Sequence, residues 1–255
     1  MKGRDNASET LAKGLRILDI FCVEDVGFTL SQIAARVVLN KTSVYRYVNT
    51  FCDLGYLQRD ERTRLYRLGV RTLALAHSIL ENSEMVRLVK PLVDEAHLRH
   101  DLHVDVGTVS GDAIYLIYRR ESKDTMAFRS FSYASDLYYL ATGKAAMAFM
   151  EPAELNSLID RLELKPKTEK TITDKQVLRA DLAQIYEQGY AFNNEESVPG
   201  LIAIGAPLFS LRTNKVVGGV SFDSATDQYS MKEFEQKFSG YLVELAKKIS
   251  AVLSV

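Results

Sequence analysis

One stretch, Phe28 to Leu68, leaves few folds open to this chain. It reads FTLSQIAARVVLNKTSVYRYVNTFCDLGYLQRDERTRLYRL. Thr29 and Gln32 have the spacing of a capping box, and Phe28 and Ile33 flank them as a hydrophobic staple. A helix is therefore expected to begin at Leu30 and to bury Leu30, Ile33, Ala34 and Val37. After a short turn at Val38 and Leu39, Asn40 can cap a second helix whose apolar positions Val44, Val48 and Phe51 recur at helical spacing, and Gly55 can end it. Tyr56-Leu57 and Leu65 to Leu68 then read as two extended pieces around the polar turn Asp60 to Arg64. Helix, turn, helix and hairpin in that order predict a winged helix-turn-helix.

If Val44, Val48 and Phe51 face inward, then Lys41, Thr42, Ser43, Tyr45, Arg46 and Asn49 occupy the outer and leading surface of the second helix. Those groups donate to phosphates and base edges, and they lie at the end of the helix that would enter a major groove. Arg59, Arg62 and Arg64 in the wing are placed to hold the flanking backbone. An ordinary solvated helix would also be charged, but here caps, turn, basic face and basic wing agree, and that agreement points to double-stranded DNA. Between Phe28 and Leu68 seven Lys and Arg stand against three Asp and Glu, while the whole chain carries a formal net charge of -1. The remainder is therefore net acidic, which suits a DNA reader joined to a domain with another job and argues against a general nucleic-acid coat protein.

At 255 residues, 47% hydrophobic and 25% charged, the chain can bury real cores. Ahead of the central stretch, Leu11, Leu15, Leu18 and Phe21 fall on one face of a helix from Thr10 to about Phe21, expected to pack on the helix-turn-helix. After Gly69, an alanine-rich helix carries Leu73, Ala76 and Leu80 in line. That stripe calls for a partner, read here as a second copy of the chain. A further helix runs from Met85 to about Arg99. From Leu102 the texture changes to strands, at Leu102 to Val106, Ala113 to Tyr118, Met126 to Ser130, Leu201 to Leu208 and Val216 to Phe222. Helices are expected at Ala141 to Met150, Pro152 to Leu162, Asp174 to Gln188 and Met231 to Val252. The sum is an α+β chain: a winged helix-turn-helix over 1–69, a linker helix over 70–83, and an antiparallel sheet flanked by helices over 84–255.

Nothing in the pattern asks for catalysis. His97, His100 and His103, with Asp101 and Asp105 nearby, are the most tempting cluster, but His103 falls past the helix end where a strand begins, and surface histidines at a helix terminus are the expectation. Gly143-Lys144 lacks the rest of a phosphate loop, and there is no G-x-S-x-G elbow. Glu195 and Glu196 are adjacent and should point apart. No catalytic residue, metal or cofactor is expected. Cys22 and Cys52 read as free thiols of a reducing compartment. With no apolar run near the roughly 20 residues a bilayer demands and no signal-peptide core in MKGRDNASET, the expected location is the cytoplasm, away from membranes.

The motifs LAKGLRILDIF (Leu11 to Phe21), KTSVYRYV, GYL and YRLG, then ATGKA (Ala141 to Ala145), QGYAFNNEE (Gln188 to Glu196) and GLIAIGAPLF (Gly200 to Phe209), together resemble the IclR-type bacterial transcriptional regulators over nearly the whole chain. The resemblance implies a GAF-like effector-binding domain behind the DNA reader, and a homodimer or homotetramer. It also implies that the first helix is used, on its far side, in dimer contacts. The start of the Ala141 helix offers unpaired backbone N–H groups, a ready seat for a carboxylate. The family places its effector there, which carries over to Ala141, Thr142, Asn193, Leu201, Ala203 and Val220. Asn193 and Thr142 are the sharper candidates, since they supply hydrogen-bonding groups. This chain departs from the family at Asp136-Leu137-Tyr138, where Pro-Leu-His is usual, at Ile202-Ala203, where Arg and Cys are common, and at Asn193, where Asp is. Val38 replaces a frequent turn glycine. These changes suggest a small organic acid with an apolar or aromatic body. The expected function is a regulator of a catabolic operon, repressor or activator, with RNA polymerase as a partner if it activates. An enzyme that retains a helix-turn-helix and a constitutive DNA-binding scaffold are the rival classes.

Overall fold

The structure is a computed structural model and describes residues 8–22, 27–123 and 134–253. The expected strand at Met126 to Ser130 lies outside the described residues. The chain divides between Asn82 and Ser83 into two compact units.

In the first unit, α1 (Glu9–Asp19) runs into a 3-10 turn, Ile20–Cys22, and is followed by α2 (Leu30–Val37) and α3 (Lys41–Asp53). The capping box that opens α2 is present in full, with the Thr29 N–H donating to Gln32 at 2.8 Å and the Gln32 N–H donating back to the Thr29 hydroxyl at 3.4 Å. Asn40 caps α3 by accepting from the Ser43 N–H at 2.8 Å. The wing is the antiparallel pair β1 (Leu57–Arg59) and β2 (Tyr66–Leu68), and Phe28 bridges to Tyr66 through two backbone hydrogen bonds of 3.0 and 2.8 Å. The staple residue thus ties the entrance of α2 to the wing. Ile17, Phe28, Ile33, Val44, Val48, Leu57 and Tyr66 make the core. Helix α4 (Val70–Asn82) completes the unit and leaves Leu73, Leu75 and Ile79 exposed.

One expectation for α1 is corrected. Leu11 and Leu15 do not face the core; they are 62% and 49% exposed, and Gly14 and Ile17 are buried in their place, while Leu18 and Phe21 pack on the core as expected. Ile17, fully buried in the core, marks the inward side, and Gly14 lies along it against the rings of Phe51 and Tyr47, where a Cβ would make ordinary contact at 3.4 and 3.6 Å. Leu11 and Leu15 fall off that side.

The second unit opens with α5 (Glu84–His100). It holds one antiparallel sheet of six strands in the order β5 (Ala134–Asp136), β4 (Ala113–Arg120), β3 (His103–Ser110), β8 (Lys215–Ala225), β7 (Leu201–Ser210), β6 (Ala191–Asn194). Sequence patterning foresees neither β5 nor, from periodicity, β6, because three and four residues are too short to show alternation. Helices α6 (Ala141–Ala148), α7 (Pro152–Arg161) and α8 (Lys175–Gln188) bury their apolar residues in one core, and α5 and α9 (Met231–Val252) bury theirs in another. The sheet separates the two. Val104, Val106, Ile202, Ile204, Val220 and Phe222 pack with α5 and α9. The residues alternating with them face α6, as the backbone shows directly: a Cβ on Gly205 would overlap the Ala141 carbonyl, and one on Gly219 would come within 2.5 Å of the Thr142 carbonyl oxygen. No described helix is long and apolar enough to cross a membrane.

Candidate functional site

The recognition surface follows from the packing of α3. Val44 and Val48 are fully buried, so Lys41, Thr42, Tyr45 and Arg46 are exposed on the opposite side, with Ser43 and Asn49 partly exposed at its margins. In the wing, Arg59, Arg62 and Arg64 are all exposed. Asp60 shapes its tip, accepting from the N–H groups of Arg62 at 2.8 Å and Thr63 at 2.9 Å, and these bonds hold its carboxyl below the ordinary aspartate range. Arg64 takes a left-handed backbone at φ 61°, closing the turn. Arg59 lies over the Tyr66 ring at 5.6 Å, which fixes its stem along the strand. Lys41, Arg46, Arg62 and Arg64 make no ion pair with another described residue. Their charge is available to an outside anion.

Five of the six expected effector residues come together. Asn193 pairs with Ala203 across β6 and β7, Leu201 lies two residues before Ala203 on the same face, and Ala141 and Thr142 start the helix that covers that face. The sixth, Val220, does not join them. It pairs with Ala206 and Val106 and is buried in the core against α5 and α9, because Gly219 and Ser221 are the residues of β8 that face α6. The α6 N-terminus has no side-chain cap, which leaves its leading N–H groups as donors. Asn193 is engaged within the chain: its amide donates to Ser197 at 2.7 Å and its carbonyl accepts from the Glu196 N–H at 2.9 Å. It shapes the loop after β6.

Beside this region two buried charge arrangements appear. Lys144, 1% exposed, lies 2.7 Å from Glu196 and 3.0 Å from Asp181. Burial raises the Glu196 carboxyl above its ordinary range although Lys144 pulls the other way. Glu195 turns away to Lys170, so the two adjacent glutamates do point apart.

The second arrangement sits mid-sheet on the face toward α6. His103 pairs with Asp223 across β3 and β8, Asp105 with Ser221, and Arg119 of β4 with Asp105. His103 Nε2 is 3.0 Å from Asp105 Oδ1 and 3.9 Å from Asp223 Oδ2, while Arg119 clamps Asp105 with bonds of 2.6 and 2.5 Å. Burial alone would lower the His103 imidazole, but the Asp105 hydrogen bond and both carboxylates hold it above the ordinary histidine value. Asp105 is likewise pushed up by burial and brought below its usual range by Arg119 and His103. Asp223 has no such clamp, and burial raises it to about 6.

His103 is therefore no surface histidine, and it is separated from the other two. His97 Nδ1 meets the Leu102 carbonyl at 2.8 Å, and His100 packs on Tyr241 at 4.5 Å on the opposite face of the sheet. Sequence reasoning named His103 and Asp105 in one cluster but did not join Asp223 to them. The signal was there in the alternation of His103-Val104-Asp105 and Ser221-Phe222-Asp223, which puts the polar residues of each strand on one face.

Comparison with known proteins agrees with both halves. The IclR helix-turn-helix domain matches residues 10–61, and the family described as Bacterial transcriptional regulator IclR C-terminal matches residues 77–251. The chain is 29% identical to the HTH-type transcriptional regulator BhcR of Paracoccus denitrificans, over 94% of this chain and 85% of that protein. It is 28% identical to the HTH-type transcriptional regulator KdgR of Escherichia coli, over 97% of this chain and 94% of that one. Among solved structures it is similar to the Thermotoga maritima IclR, with a TM-score of 0.69 and 27% identity over 96% of this chain and 99% of that chain. These families and relatives are transcription regulators and not enzymes. With a free cationic face on α3, a wing beside it and both family matches in chain order, the protein belongs to the IclR family of DNA-binding transcriptional regulators.

Proposed function

We propose that this chain is an effector-controlled operator-binding protein, working as a homodimer or a dimer of dimers. Its parts are a DNA reader over 1–69, a linker helix over 70–83 and an effector domain over 84–255. Lys41, Thr42, Ser43, Tyr45, Arg46 and Asn49 read the major groove, and Arg59, Arg62 and Arg64 hold the flanking phosphates. The observation that carries this reading is that both valines of α3 are fully buried, which turns its cations outward with no internal partner among the described residues. The apolar residues left exposed on α1 and α4, among them Leu11, Leu15, Leu73 and Ile79, support a second copy of the chain as partner. A small organic acid is the effector, its carboxylate at the uncapped start of α6 with Thr142, and Ala141, Leu201 and Ala203 lining the seat. Asn193 holds the loop that closes it.

The test is DNA selection from a random library with the full-length chain, followed by anisotropy on the selected duplex. Arg46→Ala should weaken specific binding by about 5- to 150-fold, as about 1–3 kcal/mol per base contact implies. A variant that binds the selected duplex as wild type does would refute the assignment of α3.

A further inference from the structure

We propose that Arg71 is a positioning residue that locks the linker helix α4 to the recognition helix α3, so that α4 sets the angle at which α3 meets DNA. Helix α3 ends at Leu54, and Gly55, left-handed at φ 78°, turns the chain out of it. The carbonyls at such an end need partners from elsewhere, and the start of α4 supplies them. The Arg71 N–H donates to the Gly55 carbonyl at 3.2 Å, Arg71 Nη1 to the Leu54 carbonyl at 3.3 Å, and the Gly69 N–H to the Tyr56 carbonyl at 2.8 Å. The Arg71 guanidinium also lies 5.4 Å from the centre of the Tyr56 ring, and Tyr56 in turn meets Phe51 of α3 edge to face at 6.4 Å. A cation at a helix C-terminus is favourable in its own right.

No slack separates the parts. Gly69 alone stands between the wing strand β2 and α4. A Cβ there would lie 2.2 Å from the Gly55 carbonyl oxygen, so only glycine lets the two segments close. Thr72 stiffens the start of α4, its hydroxyl donating to the Gly69 carbonyl at 2.7 Å. A turn or tilt of α4 is therefore carried to α3 and not absorbed at a hinge. Arg71 meets the end of α3 away from Lys41, roughly 20 Å along a helix of 13 residues. Its part is to aim the reading surface, not to touch base edges. In a twofold dimer, two heads aimed in this way fit half-sites at one separation. The inference rests on the operator-binding reading above and adds to it the residue that makes half-site spacing count.

Its test uses full-length wild-type, Arg71→Ala and Arg71→Lys protein with duplexes built on the DNA selected above: the whole site, a single half-site, and a whole site with two base pairs inserted at its centre. The insertion turns one half-site by about 70° around the duplex axis, and the wild type should bind it about tenfold or more weakly. Arg71 is exposed, so its loss leaves the core intact. Arg71→Ala should keep the wild type's affinity for the single half-site and lose most of the discrimination between spacings. Arg71→Lys, which keeps a cation for the Leu54 carbonyl and the Tyr56 ring, should recover part of it. Half-site affinity that falls together with whole-site affinity would make Arg71 a DNA contact and overturn the proposal. A wild type indifferent to spacing, or an alanine variant as discriminating as the wild type, would overturn it as well. Hydrogen exchange of the wild type needs neither variant nor DNA: the Gly69 and Arg71 amides should exchange as slowly as the body of α3, and exchange at the rate of an exposed turn would defeat the clasp. A selection that yields no motif while these amides are protected defeats the operator reading and leaves the clasp standing.

Discussion

Lys144→Met should cost the second unit about 3–5 kcal/mol, the range for a buried ion pair that loses one partner. The ammonium is 1% exposed and lies between Glu196 at 2.7 Å and Asp181 at 3.0 Å, while the Glu196 side chain is itself 9% exposed. Methionine fills the stem but leaves Glu196 ionised and unpaired next to a second carboxylate. Adding Glu196→Gln to Lys144→Met should restore about 1–3 kcal/mol, because a neutral amide costs less to bury. The pH dependence has a fixed sign. Burial already raises the folded Glu196 carboxyl above its ordinary value, and losing Lys144 removes the main influence that lowers it. A carboxyl raised in the folded state favours folding below its unfolded value, and that contribution is lost as pH rises through the folded one. The variant's deficit should therefore be larger at pH 8 than at pH 5. Urea unfolding followed by far-UV circular dichroism at both pH values measures it, and hydrogen exchange of α6 shows where the loss falls. A deficit below about 1 kcal/mol, or one that ignores pH, would refute the view that this pair is buried and mutually dependent.

Three further outcomes are expected. Val38→Gly should stabilise the first unit by about 1 kcal/mol in thermal unfolding, since Val38 holds a left-handed φ of 54° with its side chain 87% exposed and little packing to lose. Gly219→Ala should destabilise by about 1–3 kcal/mol or more, because its Cβ would come within 2.5 Å of the Thr142 carbonyl oxygen in the body of the sheet; a neutral result in urea unfolding would show that α6 is free to shift. Arg62→Ala should weaken binding equally across DNA sequences and reduce the slope of log affinity against log salt by about 1, as read from anisotropy titrations.

How much of this was legible in the sequence varies with the kind of signal. Local signals read cleanly. The Thr29 capping box, the Asn40 cap, the Gly55 and Gly189 stops and the long periodic helix from Met231 all lie where the residues place them, because each is decided within a few neighbours. The face of α1 was read only in part: Leu18 and Phe21 pack inward, but leucine spacing favoured Leu11 and Leu15, whereas Ile17 is the side chain that is fully buried. Val220, carried over from the family resemblance, falls one residue away from Gly219 and Ser221, which face α6. A run such as Leu201 to Leu208 is apolar on both faces, so periodicity cannot say which residues look at which helix. That is settled by Gly205 and Gly219, whose missing side chains let the backbone of α6 rest on the sheet.

The same two glycines explain why a site can exist beside α6 at all. Where they lie, helix and sheet touch backbone to backbone and no room remains. One row further along, Asn193, Ala203, Asp223 and His103 stand side by side in register across four strands. There the side chains are polar or small, and the first turn of α6 brings its unpaired N–H groups to the neighbouring row at Gly205. Close contact in one row fixes the helix, and the polar composition of the next gives a ligand something to bind. Lys144 adds the link to the loop, since it leaves α6 one turn after that start and reaches Glu196, whose N–H is held by Asn193. A molecule that moves the start of α6 must strain or release this buried pair. On the proposed effector reading, the loop after β6 is the part of the domain that occupancy of the site would reach first.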